Sequence, residues 1–380
     1  MRILFIVCGI GFGHASRSLK IINKLYRLGY EVHVITSGDA LQYFIEEGLD
    51  NLYGIPGMGI KWSGVGFSPL YSAAHYLHRL RYYKSIINLE RKIIDKVSPD
   101  LIVIDSRPIS LISTRIYRRV PRIVLTNQLS IASNSDIVNE LVLYRLFPRI
   151  WFTGDKIAVL DLPPPYTITY RNNVDVISRY PHYLDGRLVF TGPIIDRPRL
   201  DDANREREWD VGFYISAPFY DKKLFTLDVV RYIGLLDGHR VRASLGDPGY
   251  KGLSIEAGNL RLDGWVRDKY EFLTSIKIVV LRGGQTSIFE SIYASTPMLV
   301  IPAANQTEQI ENANRVSELG IGEWLDYRAL RRDPGILRGK VMYMLDNYDE
   351  YLENLAKIKT CLVKYNGLDL VVRLICSMVG

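Results

Sequence analysis

The sequence of 380 residues has few cysteines and no long apolar run. Cys8, Cys361 and Cys376 show neither a pairing pattern nor the spacing of metal ligands, so we expect neither disulfides nor structural zinc. No window approaches 18 consecutive apolar residues, which predicts that the chain has no transmembrane helix. The apolar start at residues 3–7 is too short for the hydrophobic part of a signal peptide, and we expect a cytoplasmic protein.

The composition is 47% hydrophobic and 23% charged, which excludes a disordered, collagen-like or coiled-coil protein. The length predicts two domains, each large enough to bury its own core.

The net charge of +7 is unevenly distributed along the chain. All of the positive excess lies in the first 200 residues, and residues 51–150 carry more than twice as many basic as acidic side chains. This stretch is expected to attract an anionic surface or substrate. No helix-turn-helix, zinc-finger or RNP-like signature accompanies it, so we predict no nucleic acid partner and favour an anionic membrane face.

Short apolar runs alternate with helical patterns from the first residue onward. Residues 2–8 and 31–36 are strand-like, and between them residues 16–28 carry apolar side chains at helical spacing and stop at Gly29. Further strands are predicted at 101–104, 123–125, 157–160, 188–190, 211–215, 240–245, 276–281 and 298–301. The pattern predicts an α/β protein made of two Rossmann-like, doubly wound domains that face each other across a cleft.

A segment rich in Asp, Arg and Pro divides the two series of strands. It follows Thr191-Gly192-Pro193 and contains few large apolar side chains. We therefore predict an N-terminal domain at 1–195, a linker at 196–210 and a C-terminal domain at 211–380.

A glycine-rich loop follows the first predicted strand and contains Gly9, Gly11, Gly13 and His14. Such a loop lets the backbone approach an anion at the start of a helix. It does not fit the G-x-G-x-x-G pattern, so a nicotinamide or flavin enzyme is a weak alternative. His14 is a candidate general base, and the alternative is a helix-capping or merely exposed histidine.

Asp105 ends the strand predicted at residues 101–104, on the same side of the sheet as the glycine loop. A carboxylate bonded to one imidazole nitrogen fixes the tautomer and stabilises an imidazolium. Asp105 is therefore a candidate partner of His14, unless it caps the next turn.

A second segment follows the strand predicted to end at Leu281. Two glycines turn the chain there, and hydroxyl side chains begin the next helix, which is typical of an anion pocket. Glu290, further along that helix, suits the two vicinal hydroxyls of a ribose, and Glu308 and Gln309 suit the hydroxyls of a sugar. Taken one at a time, these residues are better explained as solvated surface. The candidate residues at the turn are Arg282, Gly283, Gly284, Thr286 and Ser287.

The combined spacing of this segment resembles a known family. The pattern R-x-G-x-x-[ST]-x-x-E from Arg282, followed by Pro297, Pro302, Glu308-Gln309 and Asn312-Ala313, resembles the donor half of the GT-B glycosyltransferases, specifically the MurG-like family 28. The loop 9–14 with Ala15-Ser16-Arg17 is similar to the first glycine loop of that family.

The resemblance implies a role for each matching residue. The glycines and hydroxyls of the turn would hold a diphosphate with help from Arg282, Glu290 would bind the ribose, and Asn312 would support the loop. Glu308 and Gln309 would read the donor sugar, and His14 would be the base.

The sequence departs from the family at two places. Ser216-Ala217-Pro218 stands where the family has a glycine-rich loop, so diphosphate contacts are not predicted there. Trp265 lies near the position that contacts uracil in relatives, where it either stacks on the base or packs in the core. The sequence also has no D-x-D triplet, which fits transfer without a metal or other cofactor.

The resemblance implies an inverting transfer of GlcNAc from UDP-GlcNAc to a lipid-linked acceptor at the cytoplasmic membrane face. Aromatic, glycine and basic residues at 53–84, and an apolar stretch with arginines at 141–151, suit docking to lipid headgroups. An ordinary buried helix with solvated arginines is the alternative. The last helix, at 368–379, is expected to pack back on the N-terminal domain, as in relatives.

Three alternatives remain open on the sequence alone. The protein transfers a sugar to a soluble acceptor, or it is a UDP-GlcNAc 2-epimerase-like enzyme of the same fold, or it is a non-catalytic sugar-binding module.

Overall fold

The computed structural model describes residues 1–57, 62–63, 66–67, 79–130, 148–198, 207–215, 219–304 and 306–379. The chain divides into two compact units. The first unit is Met1–Ile194 together with Tyr365–Gly380, and the second is Ile195–Lys364.

The first unit is built on a seven-stranded parallel sheet of order β3-β2-β1-β6-β7-β8-β9. Its strands are β1 (Arg2–Val7), β2 (Glu31–Thr36), β3 (Leu52–Gly54), β6 (Leu101–Asp105), β7 (Arg122–Thr126), β8 (Lys156–Val159) and β9 (Leu188–Phe190), and a separate hairpin joins β4 (Trp62–Ser63) to β5 (Gly66–Phe67). The helices are α1 (Phe12–Arg27), α2 (Gly38–Glu46), α3 (Leu80–Val97), α4 (Pro108–Thr114), α5 (Pro148–Trp151), α6 (Tyr170–Arg179) and α7 (Pro181–Leu184).

Both faces of this sheet are buried, which explains the uninterrupted apolar runs of its central strands. Along β1, Ile3 and Phe5 pack into the core on one face, while Leu4 and Ile6 pack into the core on the other. All four side chains are fully buried.

The C-terminal helix of the chain, α15 (Gly367–Val379), belongs to the first unit. Its buried residues Val371, Val372 and Ile375 lie in the same core cluster as Ile21 of α1. Lys24 of α1 forms an ion pair with Asp369. The last segment of the chain thus completes a core whose other members lie more than 170 residues earlier.

The second unit has a seven-stranded sheet of order β12-β13-β11-β10-β14-β15-β16, parallel except for the antiparallel edge strand β12. The strands are β10 (Trp209–Tyr214), β11 (Val241–Ser244), β12 (Ser254–Ala257), β13 (Leu260–Asp263), β14 (Ile276–Leu281), β15 (Met298–Val300) and β16 (Gly322–Trp324). The helices are α8 (Phe219–Ile233), α9 (Lys269–Thr274), α10 (Gln285–Tyr293), α11 (Thr307–Glu318), α12 (Tyr327–Arg332), α13 (Gly335–Asp346) and α14 (Tyr348–Lys364).

The prediction of two parallel-sheet α/β domains is confirmed. Near the glycine loop, however, the structure differs from the sequence prediction. Helix α1 begins at Phe12, four residues before the predicted start at Ser16. Gly11 has φ +66° and turns the chain directly into the helix, and Asp39 Oδ2 accepts a hydrogen bond from Gly11 N at 2.9 Å. Phe12 is 59% exposed, so the first turn has no apolar periodicity that would reveal it. His14 therefore lies on a helix and not in a loop.

Within the described residues, no helix is long and apolar enough to span a bilayer. Ser216-Ala217-Pro218, most of 141–151 and much of 53–84 lie outside the described residues.

Candidate functional site

The candidate residues of the first unit lie where the strand order of the sheet reverses. The sheet continues from β1 to β2 on one side and from β1 to β6 on the other, and parallel sheets bind ligands beyond the carboxyl ends of the strands at such a point. His14 lies in the first turn of α1, directly after β1, and Asp105 is the last residue of β6. Val7 and Asp105 are paired in register, which brings the two strand ends together.

His14 and Asp105 are in hydrogen-bond range. His14 Nδ1 lies 3.2 Å from Asp105 Oδ1, with the His14 side chain 24% exposed and the Asp105 side chain fully buried. An imidazole that is partly open and held by a buried carboxylate is an arrangement suited to proton transfer.

The same imidazole nitrogen also contacts Arg17, one turn along α1. Arg17 Nη2 lies 2.8 Å from His14 Nδ1. An arginine only donates hydrogen bonds, so this contact requires Nδ1 to accept, whereas the Asp105 contact requires Nδ1 to donate. Only the tautomer that donates to Asp105 leaves Nε2 with a lone pair able to accept a proton.

Asp105 is bound mainly by Arg17 and Ser18. Arg17 Nε and Ser18 Oγ each donate to Asp105 Oδ2 at 2.9 Å, and Arg17 Nη2 pairs with Oδ1. Burial would raise the pKa of Asp105, but the charge and hydrogen bonds of Arg17, with the hydrogen bond of His14, outweigh burial and hold the pKa below its usual range. Asp105 is therefore a carboxylate at neutral pH.

Sequence reasoning did not identify Arg17 as part of this cluster. Arg17 is 8% exposed and also donates to Asn127 Oδ1 and, at 3.1 Å, to Ser106 Oγ. The sequence signal that could have identified Arg17 is its spacing. Residues three positions apart on a helix lie on the same face, as His14 and Arg17 do.

The glycine loop lies against the end of β2. A Cβ atom on Gly9 would meet Ser37 Oγ at 2.2 Å, so this position requires glycine, while Gly11 needs its positive φ. Gly13 has open space around its Cα. The N-terminus of α1 has no side-chain cap, which leaves its first-turn N–H groups without that partner.

In the second unit, the predicted anion turn connects β14 to α10. Gly283 has φ +84°, and a Cβ atom there would lie 2.8 Å from Val300 Cγ1. Asn312 Nδ2 donates to Gly283 O at 3.0 Å and so holds the turn from α11. The close packing and positive φ explain the glycine at position 283, and the hydrogen bond to the turn explains the amide side chain at position 312.

Arg282 is buried beneath the turn, with 2% exposure. Its guanidinium lies 4.3 Å from the ring centroid of Phe225 and 4.8 Å from that of Tyr327, and Nη1 donates to Ile301 O at 3.0 Å. These contacts anchor the turn through cation–π and hydrogen-bond interactions. The direct diphosphate contact of Arg282 stays a prediction.

Helix α10 begins immediately after this turn. Gly284 is its N-cap and provides no side-chain cap, and the first turn has no acidic residue. Thr286 is exposed and Ser287 is half-buried, so both hydroxyls lie at an accessible helix N-terminus. This combination of N–H groups, hydroxyls and the positive end of the helix dipole is suited to an anion.

Glu290, the predicted ribose ligand, is 4% exposed and paired with a lysine that sequence reasoning missed. Lys269 Nζ lies 2.5 Å from Glu290 Oε1 and 3.0 Å from Asp196 Oδ2. Lys269 is separated from Glu290 by 21 residues, and no spacing rule in the sequence connects them.

The predicted sugar-reading residues lie at the start of α11. Gln309 is 7% exposed, and its Oε1 accepts from Ala303 N at 2.8 Å, which orients the amide. Glu308 is half-buried in the first turn of the helix. Their roles toward a sugar stay predictions.

Trp265, the candidate base contact, is 38% exposed. The indole is therefore not part of the buried core, although stacking on a base stays a prediction. Trp265 follows Gly264, where a Cβ atom would meet Tyr250 O at 2.4 Å.

Two parallel α/β units, each with candidate groups beyond the strand ends, are the architecture of the GT-B fold. Residues 1–143 match the model of glycosyl transferase family 1, and residues 266–361 match that of the glycosyltransferase family 28 C-terminal domain. An uncharacterized glycosyltransferase of Methanosarcina acetivorans is 25% identical over 349 residues, covering 86% of each chain. A Thermosipho africanus UDP-N-acetylglucosamine--N-acetylmuramyl-(pentapeptide) pyrophosphoryl-undecaprenol N-acetylglucosamine transferase is 31% identical over 90 residues, which are 23% of this chain and 26% of that protein.

Solved structures share the fold over the whole chain. The glycotransferase of kitacinnamycin has a TM-score of 0.70 at 17% identity, covering 100% of this chain and 99% of that one. Acinetobacter baumannii MurG has a TM-score of 0.65 at 12% identity, covering 99% of both chains. The rhamnosyltransferase SpnG in complex with thymidine diphosphate has a TM-score of 0.65 at 14% identity, covering 99% of this chain and 100% of that one. The chain is a glycosyltransferase of the GT-B type that is similar in part to MurG.

Proposed function

We propose that this glycosyltransferase moves GlcNAc from UDP-GlcNAc to a lipid-linked acceptor at the cytoplasmic face of the membrane, with inversion at the anomeric carbon and without a metal. The observation that carries the proposal is the turn from Arg282 to Ser287. Its backbone geometry requires glycine at position 283, and it opens a helix N-terminus inside the region that matches the family 28 C-terminal model.

The second unit would bind the donor. Backbone N–H groups at the start of α10, with Thr286 and Ser287, would hold the diphosphate, and Glu290 would accept hydrogen bonds from the ribose. Glu308 and Gln309 would contact the hydroxyls of the sugar. As the bond between the sugar and the diphosphate breaks, negative charge on the leaving UDP is stabilised by the helix dipole and the N–H groups.

The first unit would supply the base. In the tautomer whose Nδ1–H donates to Asp105, His14 Nε2 takes the proton of the acceptor hydroxyl. The acceptor oxygen forms a bond to the anomeric carbon while the bond to the β-phosphate oxygen breaks, and UDP leaves with that electron pair. A single displacement of this kind inverts the configuration.

The start of α3 supports peripheral membrane binding. Leu80 is 66% exposed, and the neighbouring Arg79, Arg81 and Lys84 are exposed as well. An apolar side chain among cations suits an anionic lipid surface. Of the aromatic residues predicted for this role, Tyr53 and Tyr82 are half-buried and Tyr83 is buried, so they do not enlarge this surface. Tyr71 and Tyr76 lie outside the described residues.

A panel of nucleotide sugars tests the donor. We expect UDP-GlcNAc to raise the melting temperature, since a ligand that binds only the folded state at 100 times its Kd stabilises it by about 2.7 kcal/mol. Free GlcNAc is the control and should have no effect. The donor proposal is wrong if neither UDP nor any UDP-sugar stabilises the protein.

The reaction products and the binding of the protein to lipid vesicles distinguish the remaining alternatives. Release of UDP that requires a polyprenyl-linked acceptor, together with sedimentation with anionic but not neutral vesicles, is the expected result. UDP release to a water-soluble acceptor without vesicle binding would instead support the soluble-acceptor enzyme. Formation of UDP-ManNAc from UDP-GlcNAc alone would support the 2-epimerase-like alternative.

A further inference from the structure

Lys269 lies at the first position of α9, beside the carboxylate predicted to bind ribose. Its Nζ contacts Glu290 Oε1 at 2.5 Å and Asp196 Oδ2 at 3.0 Å. The Glu290 side chain is 5% exposed, that of Lys269 is 25% exposed and that of Asp196 is 52% exposed. Lys269 thus connects a buried carboxylate to an exposed one.

The ammonium of Lys269 is a permanent charge at this position. Burial alone would lower the pKa of Lys269, but the charges and hydrogen bonds of Glu290 and Asp196 outweigh it and raise the pKa above its usual range. A buried carboxylate without a counter-charge is strongly unfavourable, so Lys269 both compensates Glu290 and fixes the position of its Oε1 atom.

The pair lies near the carboxyl end of the central strand β10. Tyr214 is the last residue of that strand, and burial together with the charge of Glu290 raises its pKa. In a parallel sheet this edge is where ligands bind. A carboxylate offers about four lone-pair positions, so the contact with Lys269 orients Glu290 without using its full acceptor capacity.

We propose that Lys269 is a positioning residue that holds Glu290 in the orientation that accepts the ribose hydroxyls, and that the pair makes this unit selective for ribonucleoside over 2′-deoxyribonucleoside diphosphates. This inference rests on the proposed function, because it takes the donor to be a nucleoside diphosphate sugar. Thymidine diphosphate, the ligand of the SpnG structure, lacks the 2′-hydroxyl, and the unit described here would discriminate against it.

The test compares the affinity of the intact protein for UDP and for 2′-deoxy-UDP by calorimetry. Hydrogen bonds to a charged group predict that the wild type prefers UDP by about 10- to 100-fold. Lys269→Met should lower the affinity for UDP about tenfold and leave the affinity for 2′-deoxy-UDP nearly unchanged, so the preference for UDP falls. Glu290→Gln should have the same effect. The double variant should lose little more affinity for UDP than either single variant, because the two residues act together.

The matched control is Lys277→Met. Lys277 Nζ pairs with Asp210 Oδ1 at 2.8 Å, at the amino end of β14 and away from the proposed ribose site. This variant should keep the preference of the wild type. Lys269→Arg, which keeps the charge, should restore part of the preference.

Each other outcome has a defined meaning. If the wild type binds neither nucleotide at millimolar concentration, the proposed function fails. If the wild type binds UDP without a preference, the ribose contact of Glu290 and the selectivity are refuted, while nucleotide binding by this unit stands. If the wild type has the preference but Lys269→Met lowers the affinity for both nucleotides by the same factor, only the role of Lys269 is refuted. Should Lys269→Met not fold, a Glu290→Gln variant that retains the full preference would refute it equally.

Discussion

At the scale of single residues, the candidate chemistry of the first unit depends on a buried charge cluster. Asp105 contacts His14, but Arg17 and Ser18 provide more of its hydrogen bonds. The carboxylate is therefore shared between a structural ion pair and the imidazole. A substitution of Asp105 should therefore change stability and catalysis together, whereas a substitution of His14 tests catalysis separately from stability.

We predict that His14→Ala lowers kcat by about 10²- to 10⁴-fold, because the proton of the acceptor hydroxyl loses its acceptor. The affinity for UDP should not change, since its predicted ligands belong to the second unit. Initial rates of UDP release and a UDP titration measure both. His182, an exposed residue of α7, provides the control variant His182→Ala, which should behave as wild type.

Asp105→Asn should lower the free energy of unfolding by about 3–5 kcal/mol at pH 7, because Arg17 then keeps a buried charge without its counter-charge. The pKa of Asp105 is lowered in the folded state, so its contribution is present above the ordinary carboxyl pKa of about 4 and is lost as the pH falls below it. Denaturant unfolding at several pH values should show the difference between wild type and variant shrinking in acid.

The control for this prediction is Asp155→Asn. Asp155 is 46% exposed and lies 3.4 Å from Arg122 Nε, so its loss should cost about 1 kcal/mol or less. If Asp105→Asn and Asp155→Asn lowered the free energy of unfolding equally, burial would not be the reason that the loss of Asp105 is costly.

At the scale of elements, the donor half depends on turns that place helix N-termini beyond the sheet. The turn between β14 and α10 is held from three sides: by the stacked guanidinium of Arg282, by the amide of Asn312 and by the close approach of Gly283 to Val300. This packing leaves the start of α10 in one defined position, which a pre-organised anion site requires.

Gly283→Ala tests this turn. The new Cβ atom would lie 2.8 Å from Val300 Cγ1 at a residue with φ +84°, so we expect a loss of about 1–3 kcal/mol of stability and a UDP affinity lowered by about tenfold. Gly339→Ala, in the middle of α13 with open space around it, should stabilise the protein by about 0.5–1 kcal/mol. Thermal unfolding with and without UDP distinguishes the two. A Gly283→Ala variant with unchanged UDP affinity would show that the turn does not bind the diphosphate.

At the scale of the whole molecule, the first unit is formed by two distant parts of the chain. Residues 365–380 return to the unit that begins at Met1, and α15 buries its apolar face beside α1. The last helix is therefore a structural component of the unit that carries His14.

Val371→Asp, at a fully buried position of α15, should lower the stability of the first unit by about 3–5 kcal/mol, because it places an unpaired charge in the core. Arg373→Asp, at an exposed position of the same helix, should cost far less. Limited proteolysis should show cleavage of the first unit before the second in Val371→Asp. Uniform cleavage of both units would contradict this view.

The sequence predicted the fold class and most central strands, because strands buried on both faces leave uninterrupted apolar runs. The predicted strands at 31–36, 188–190 and 276–281 have the bounds seen in the structure. It did not predict β3, β12, β13 and β16, which are three or four residues long and not fully buried. These four strands contain glycine or charged residues and leave no continuous apolar run, whereas β9, which is equally short and not fully buried, is Leu-Val-Phe.

The sequence by itself determined which residue types stand at the two candidate half-sites, since glycine turns, hydroxyls and carboxylates at fixed spacing are local features. Only the tertiary structure decided which cations pair with their buried carboxylates. Arg17 with Asp105 and Lys269 with Glu290 are separated by 88 and 21 residues. The first pair meets because β1 and β6 are neighbouring parallel strands whose carboxyl ends lie together. Lys269 and Glu290 follow β13 and β14, which are separated in the sheet by β11 and β10, and helices α9 and α10 bring the two side chains together. Burial then makes each ion pair necessary, because a carboxylate removed from water requires a counter-charge that no local spacing can specify.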